Sequence, residues 1–542
     1  MRVRLPTNPS TFPCGGKPRP ISVRHRSGAD QMTTDRAWML KGGLVFTHAD
    51  DEARLRDLVI QGGVIRHVGE DLDPSAYGVE EVRSARGLLV TPGYINTHYH
   101  SHDRWDRGRF SALPLEIWMS VYNPPVVGRG WTPDEIYLRT VIGGMELVRG
   151  GTTAVMDDVH LGLQLDEDSV SAVYRAYQDL GLRADVGIAY SDRPGHETIP
   201  YVDDVLPQHL KSRGQAAFIS QKEMLGLWRD LAVTHAGRVR SVVSVSGPQR
   251  CTEAFQQEAW DLAENLSRPV LTHVLESRVQ ALTGPHFYGK SLVAYMKDIG
   301  VLRKNSVLIH GVWMSPRDLD LVAEAGATVS HNPVSNLKLG SGIAPLIEML
   351  ERGIPVGFGT DNHNGNDGCS MFESAKLAVM LQTTQTDDFR RWPNARSGLR
   401  GATEHGARVM GRAGDLGRLE PGYKADFLMF DLTADAFLPL NDVAVHLVFA
   451  DASRALRHVY VDGAPVLVEG EIVSVDEKAV RAEVLDRLSV MHKKVVDGAP
   501  IGREMEPHLM QAYDESLKNP LLRPFASRCN CCRPDSTGFV AV

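Results

Sequence analysis

The sequence predicts an α/β chain: a (β/α)8 TIM barrel carrying a discontinuous small β-sandwich built from both flanks. Three observations predict it. Eight apolar runs (TPGYINTHYH, GTTAVMDDV, RADVGIAYS, VRSVVSVSG, RPVLTHVLE, NSVLIHGVW, ATVSHNPVS and IPVGFGTDN) alternate with longer amphipathic stretches, which over about 300 residues is the rhythm of eight β/α units. Four of these runs end in metal-binding side chains, placing His98, His100, His273, His310 and Asp361 at strand ends. Finally, the same hairpin-like texture precedes and follows this stretch.

Taken in order, residues 1–36 form a basic tail rich in Pro and Ser. Arg2, Arg4, Lys17, Arg19, Arg24 and Arg26 give it the charge of a transit peptide. Its prolines break an amphipathic helix, however, and no apolar secretory core is present. It reads as a disordered tail, or as an upstream start with Met32 the true first residue. Residues 37–92 hold short alternating segments separated by Gly-Gly turns, such as WMLKGGLVFT and DLVIQGGVIRHVG, and read as the first part of the sandwich. The barrel is expected over 93–413, with helices in YLRTVIGGMELVRG, AFQQEAWDLAENL, SPRDLDLVAEAG and IAPLIEMLERG. Residues 414–475 return to strand texture and complete the sandwich, as in KADFLMFDL and RHVYVDGAPVLVEGEIVSV. A helical, charged extension and a Cys-containing tail occupy 476–542.

Composition narrows the function. Apolar residues make up 43% of the chain and charged residues 23%, the balance of a water-soluble globular protein. A formal charge of -8 argues against a surface that tracks phosphates, so nucleic acid is not an expected partner. No run of about 18 apolar residues suggests a membrane span. Cys14, Cys251, Cys369, Cys529, Cys531 and Cys532 are too few and too clustered for a disulfide framework in so long a chain, which points to a reducing compartment, the cytoplasm. The Cys529–Cys532 group has no second C-x2-C pair or nearby His to complete a zinc knuckle, and reads as tail. The H-x-E with P-C-x-x-C pattern is absent, which excludes the cytidine-deaminase fold.

The strand-end residues carry the chemistry. A strand has a period of two, so His98 and His100 project from one face and can grip a single ion. Zinc accepts imidazole nitrogen and carboxylate oxygen, and a catalytic site keeps one position for water. An anionic oxygen such as that of Asp361 is a plausible base for that water, whose pKa the cation lowers to about 7. Iron or manganese would tolerate the same donors.

TPGYINTHYH followed by RGRFSALPLEIWM, then SHNPVSNLKLGSGIAPLIEMLERGIPVGFGTDN, and finally ATEHGARVMGRAGDLGRLEPGYKADFLMFDL together resemble the amidohydrolase superfamily, in its aminohydrolase and chlorohydrolase branch. The resemblance covers roughly residues 38–475. It implies His98, His100, His273 and Asp361 as metal ligands, with Asp361 also taking a proton from water. It implies Glu276, three residues after His273, as a proton carrier to the substrate ring, the alternative being a Glu at a helix start. His310 would act near the substrate or the water, or else support the ligands from behind. Trp118 would line the substrate pocket or pack beneath the first loop, and Asn336 would bind substrate.

Binuclear relatives bridge their ions with a carboxylated Lys on strand four. VRSVVSVSGPQRCT holds no Lys, so one divalent ion per chain is expected. His102, Asp103, Asp157, Asp158 and His160 could complete a second site, but read as solvated strand-end residues. The function so implied is metal-dependent hydrolysis of a C–N bond in a small molecule, above all deamination of a nitrogen heterocycle. Hydrolysis of an amide, cyclic amide or carbon–halogen bond is the alternative, and a non-enzymatic scaffold the remote one. A homodimer or higher homo-oligomer is expected. HNHNGNDGCSMFE, after the eighth strand, departs from the usual loop of the family, so substrate identity does not transfer.

Overall fold

Five strands precede the barrel in the computed structural model, which describes residues 36–122, 129–162, 165–212, 219–497, 499–519 and 521. They are β1 (Trp38–Val45), β2 (Arg54–Gln61), β3 (Val64–Gly69), β4 (Glu81–Ser84) and β5 (Leu88–Pro92). The basic N-terminal segment and Cys529–Cys532 lie outside the described residues.

The barrel strands follow: β6 (Tyr94–His100), β7 (Thr152–Val159), β8 (Arg183–Tyr190), β9 (Val239–Val245), β10 (Val270–Val274), β11 (Ser306–His310), β12 (Thr328–His331), β13 (Val356–Phe358) and β14 (Asp361–Asn362). All pair in parallel in the order β13-β12-β11-β10-β9-β8-β7-β6-β14. β6, β7, β8 and β9 are buried along their whole length, as strands covered on both faces must be.

The eighth strand is split, and its two halves close the barrel. The Gly359 N–H donates to His331 O at 3.0 Å, and the Thr360 N–H to His98 O at 3.1 Å. Glycine is required at the crossover. A Cβ on residue 359 would stand 2.2 Å from Asn332 Oδ1 and 2.8 Å from His98 O. Ile95, Met156, Val242, Leu271 and Ile309 fill the barrel beneath the strand ends.

The intervening helices start where the sequence provides caps. Thr132 and Glu135 form a reciprocal capping box ahead of the helix Pro133–Arg149, with Pro133 in its first turn; Ser315 and Asp318 do the same for Pro316–Ala325. Each box satisfies backbone N–H groups that a helix start leaves without partners.

After the barrel come β15 (Phe427–Asp431), β16 (Leu456–Val461), β17 (Ala464–Val468) and β18 (Glu471–Ile472). They join the first five strands in one sheet, ordered β18-β17-β16-β15-β5-β1-β2-β3 with β4 on β1. β15 against β5 is the seam between the two flanks. Trp38, Leu58, Ile60, Phe427 and Tyr460 form its own apolar core. Arg183, at the start of β8 and 1% exposed, pins this sheet to the barrel. Its guanidinium meets Asp426 in two hydrogen bonds of 2.8 and 3.0 Å, and Asp462 in a third of 2.5 Å.

Two helices, Glu477–Asp497 and Ala499–Leu517, end the described chain. The first is tied to the Pro133–Arg149 helix by Lys494 to Glu135 (2.5 Å) and by Arg149 to Glu477 (2.6 Å). No described helix is long and apolar enough to cross a membrane.

Candidate active site

His98, His100, His273, His310 and Asp361 converge at the C-terminal ends of β6, β10 and β11 and the start of β14. The His98 ring centroid lies 4.5 Å from that of His100, 5.0 Å from His273 and 5.7 Å from His310. Asp361 Oδ1 stands 3.3 Å from His98 Nε2 and 3.4 Å from His100 Nε2. This follows from strand geometry, because β14 pairs Asp361 with Tyr99 and Asn362 with His100.

Backbone hydrogen bonds set the tautomers. His100 Nδ1 meets Asp158 O at 2.5 Å, and His273 Nδ1 meets Ser246 O at 2.9 Å. A carbonyl oxygen only accepts, so both Nδ1 atoms carry the proton and both Nε2 lone pairs are left to bind a cation. His98 is fully buried, and neither of its ring nitrogens has a hydrogen-bond partner. Burial, then the charges of His100 and His310, push its pKa down to about 3, against the pull of Asp361. Burial would raise the Asp361 carboxyl, but the neighbouring His98, His310 and His100 outweigh it and hold it well below the usual range. Burial lowers the pKa of His273 and His310 as well, whereas at His100 the lowering by burial is outweighed by Asp158, Asp361 and Asp103. Imidazole nitrogen beside an ionised carboxylate is the donor set a divalent ion requires. Donor atoms of His98, His310 and Asp361 lie within 4.8 Å of one another, as do those of His98, His100, His273 and Asp158. The residues fit one such ion.

Glu276, 3% exposed, places Oε2 3.3 Å from His310 Nε2. Burial first, then the charges of Asp361 and Glu116, raise its pKa well above the ordinary value, with Arg250 opposing. Asn336 is fully buried and not among the described residues that line the cavity; its Oδ1 meets His310 Nδ1 at 2.8 Å. That contact puts the His310 proton on Nδ1 and turns the Nε2 lone pair toward Glu276.

Three of these positions are strained. Leu275, His310 and Asp361 have φ of 52°, 76° and 60°, the left-handed region that side chains with a Cβ avoid. The chain turns sharply there, which aims Glu276, His310 and Asp361 into one space. That space is a cavity of about 270 Å³ lined by His100, His273, Glu276, His310 and Asp361, together with Trp118. Trp118 also packs against Leu115, Leu339 and Phe110, so one side chain both lines the cavity and belongs to an apolar cluster.

The residues read as solvated are not all so. Asp103, Asp157 and Asp158 are at most 1% exposed. Asp157 accepts from Ser101 N (2.9 Å) and the Tyr177 hydroxyl (2.7 Å); Asp158 accepts from the Ser244 hydroxyl (2.5 Å), and Asp103 from His363 N (3.1 Å). Asp103 lies within the Ser101–Asp106 turn that follows β6, and the Ser101 N–H at the start of that turn is the one that reaches Asp157. Asp158 also reaches to 3.8 Å from His273 Nδ1. It shares a strand face with Ala154 and Met156.

Comparison with known proteins identifies the family. The amidohydrolase family profile matches residues 89–466. The 5'-deoxyadenosine deaminase of Methanosarcina mazei is 30% identical over 447 residues, covering 82% of this chain and 96% of that protein. The 5-methylthioadenosine/S-adenosylhomocysteine deaminase of Thermococcus onnurineus is 29% identical, covering 80% and 95%. Among solved structures, an adenosine deaminase from Xanthomonas campestris with bound zinc superposes with a TM-score of 0.72 at 24% identity, covering 85% and 99%. An atrazine chlorohydrolase from Arthrobacter aurescens complexed with zinc gives 0.73 at 24%, covering 84% and 99%. These last likenesses speak to the fold. With the family profile spanning more than half of its length, the chain belongs to the amidohydrolase family.

Proposed function

We propose that this amidohydrolase deaminates a nitrogen heterocycle hydrolytically. Water adds at the amino-bearing ring carbon, the C–N bond breaks, and ammonia leaves. His98, His100, His273 and Asp361 would hold one divalent ion, with zinc favoured by the donor set and by the zinc in the two structural neighbours. Such an ion supplies Lewis acidity and lowers the pKa of water. Asp361, held ionised, takes the proton of the attacking water. Glu276, held protonated by burial, gives its proton to the ring nitrogen, takes the hydroxyl proton of the adduct and passes it to the leaving amine, and the proton held by Asp361 then restores it. His310, oriented by Asn336, keeps the Glu276 carboxyl aimed, and Trp118 offers a flat face to the ring.

One observation carries this reading: a buried carboxylic acid 3.3 Å from His310 beside the ligand group. Amine departure needs a proton, whereas halide departure does not. The curated relatives, by name deaminases of adenine nucleosides, support the same bond. Purified protein should be tested for ammonia release from aminopurines, aminopyrimidines and aminotriazines, and for halide release from chloro-substituted rings. Halide without ammonia would overturn the proposal in favour of carbon–halogen hydrolysis.

A cytoplasmic homo-oligomer belongs to the same proposal. Cys251 and Cys369 are free thiols, which supports a reducing compartment. Leu485, Leu488 and Val496 are 69%, 48% and 43% exposed along one face of the Glu477–Asp497 helix, an apolar stripe suited to a second copy. Sedimentation of wild type against Leu485→Glu checks the latter.

A further inference from the structure

We propose, resting on the deaminase reading, that the helix Ala499–Leu517 is a wall of the substrate cavity and selects substrates carrying an apolar arm. The helix lies beyond the residues that match the family profile. Even so, Met505 and Leu509 line the same cavity as His273, Glu276 and Asp361. They continue an apolar cluster with Ile117, Val202, Leu206 and Leu210, in which Leu509 is only 3% exposed. One cavity therefore offers polar chemistry and an aliphatic chamber. A molecule that fills both has a polar ring joined to an apolar substituent.

The wall is anchored rather than loosely laid on. Gly502 packs so tightly on the helix Leu115–Tyr122 that a Cβ there would stand 2.5 Å from Val121 O. At the other end, Arg278 donates to Ser516 O at 2.7 Å and to Asn519 O at 2.5 Å. A cation on the last carbonyls of a helix satisfies groups that have no partner inside it. Arg278 is two residues from Glu276, so the wall is clamped to the loop that carries the proposed acid. Asn519 Nδ2 also donates to the Tyr201 hydroxyl at 2.8 Å. The arm is apolar because Met505 and Leu509 continue an aliphatic cluster. Among the arginines that also line the cavity, Arg129 and Arg250 have protein partners and the buried Arg139 meets the charges of Asp157 and Asp103. Arg193 donates to Gln249 O and to the Tyr288 hydroxyl, and His196 faces Asp203 at 3.8 Å.

The test uses the zinc-loaded full chain and 9-n-alkylpurines from methyl to hexyl, which lack an amino group and cannot turn over. Calorimetry should show affinity rising about fourfold per methylene until the chamber is full. Leu509→Phe should move the break to a shorter arm, and Met505→Ala, at a partly exposed position, to a longer one. An arm dependence unchanged in both variants would overturn the proposal, as would no binding of any alkylpurine at millimolar concentration. Ammonia release from aminoheterocycles, measured in parallel, separates the two ideas. Ammonia with a flat alkyl series removes the wall and keeps the deaminase; an intact alkyl series with no ammonia from any ring does the reverse.

Discussion

Glu276→Gln isolates the proton that amine departure requires. The two side chains have nearly the same shape, and the Glu276 N–H keeps its 2.7 Å bond to Gln280 Oε1. Burial and the nearby Asp361 already favour the neutral carboxyl, so an amide there adds no desolvation penalty and stability should change by less than about 0.5 kcal/mol. Metal retention should be unchanged, because the ligand set is untouched. What disappears is a proton positioned 3.3 Å from His310 Nε2. Positioned acid catalysis contributes about 10²- to 10⁴-fold, or about 2.7–5.4 kcal/mol of barrier at about 1.36 kcal/mol per decade. kcat for ammonia release should fall by at least about 100-fold, measured at saturating substrate, with metal content determined on the same sample. Release of chloride from a chloro-substituted ring, if the site accepts one, should fall far less. A Gln variant that releases ammonia at the wild-type rate between pH 6 and 8 would refute the reasoning, and Glu276 would then be structural.

Other outcomes follow from the same geometry. His98→Ala should abolish turnover and lower metal content, and Asp361→Ala should do both, whereas Cys531→Ser should leave rate and metal unchanged; elemental analysis beside activity decides. Exhaustive chelation should remove about one ion per chain together with activity, and two bound ions would contradict the single donor set. Arg183→Met leaves Asp426 and Asp462 facing each other without their cation, and should cost about 3–5 kcal/mol in denaturant unfolding; a loss under about 1 kcal/mol would mean the two sheets dock without it. The pKa of His405 is pushed down to about 4 by burial and then by Arg408 and Arg400. Its folded pKa lies below the unfolded value, so its stability contribution is complete above about pH 6.5 and is lost as pH falls toward 4. Between pH 6.5 and 4.5, His405→Gln should lose about 2 kcal/mol less than wild type, read from thermal unfolding of both proteins.

Much of the architecture is legible in the chain because parallel strands and their helices leave periodic marks. The runs ending at His98–His100, His273 and His310 are strands in the structure, and Asp361 opens the second half of the split eighth strand. The doublet His98–His100 is legible because a period of two admits one geometry. Asp158 is harder to read, because its significance depends on Ser244 and His273, residues 86 and 115 positions away that meet it only when the barrel closes. Asn336 shows the limit of reading by resemblance. The sequence places it near the substrate, but only the fold shows its amide fixing the His310 ring. The C-terminal helix was legible as a helix, yet nothing in its composition says that Leu509 faces a cavity rather than a generic core. The burial of Asp157 and Asp158 escapes for the same reason, since the Ser101, Tyr177 and Ser244 groups that bond them meet them only in the folded barrel.

The left-handed backbone at Leu275, His310 and Asp361 bears on how this protein can be engineered. Each such position costs about 1–2 kcal/mol, so together they claim a sizeable part of the roughly 5–15 kcal/mol that holds a typical domain folded. Glycine or asparagine would relax that cost at any of the three. Mutant libraries selected for heat resistance alone should therefore drift first toward glycine or asparagine at the very places that aim the site. Survivors of such a selection would be sturdier and inactive. A programme to harden this enzyme should hold 275, 310 and 361 fixed and seek its gains elsewhere, among exposed loops and helix caps.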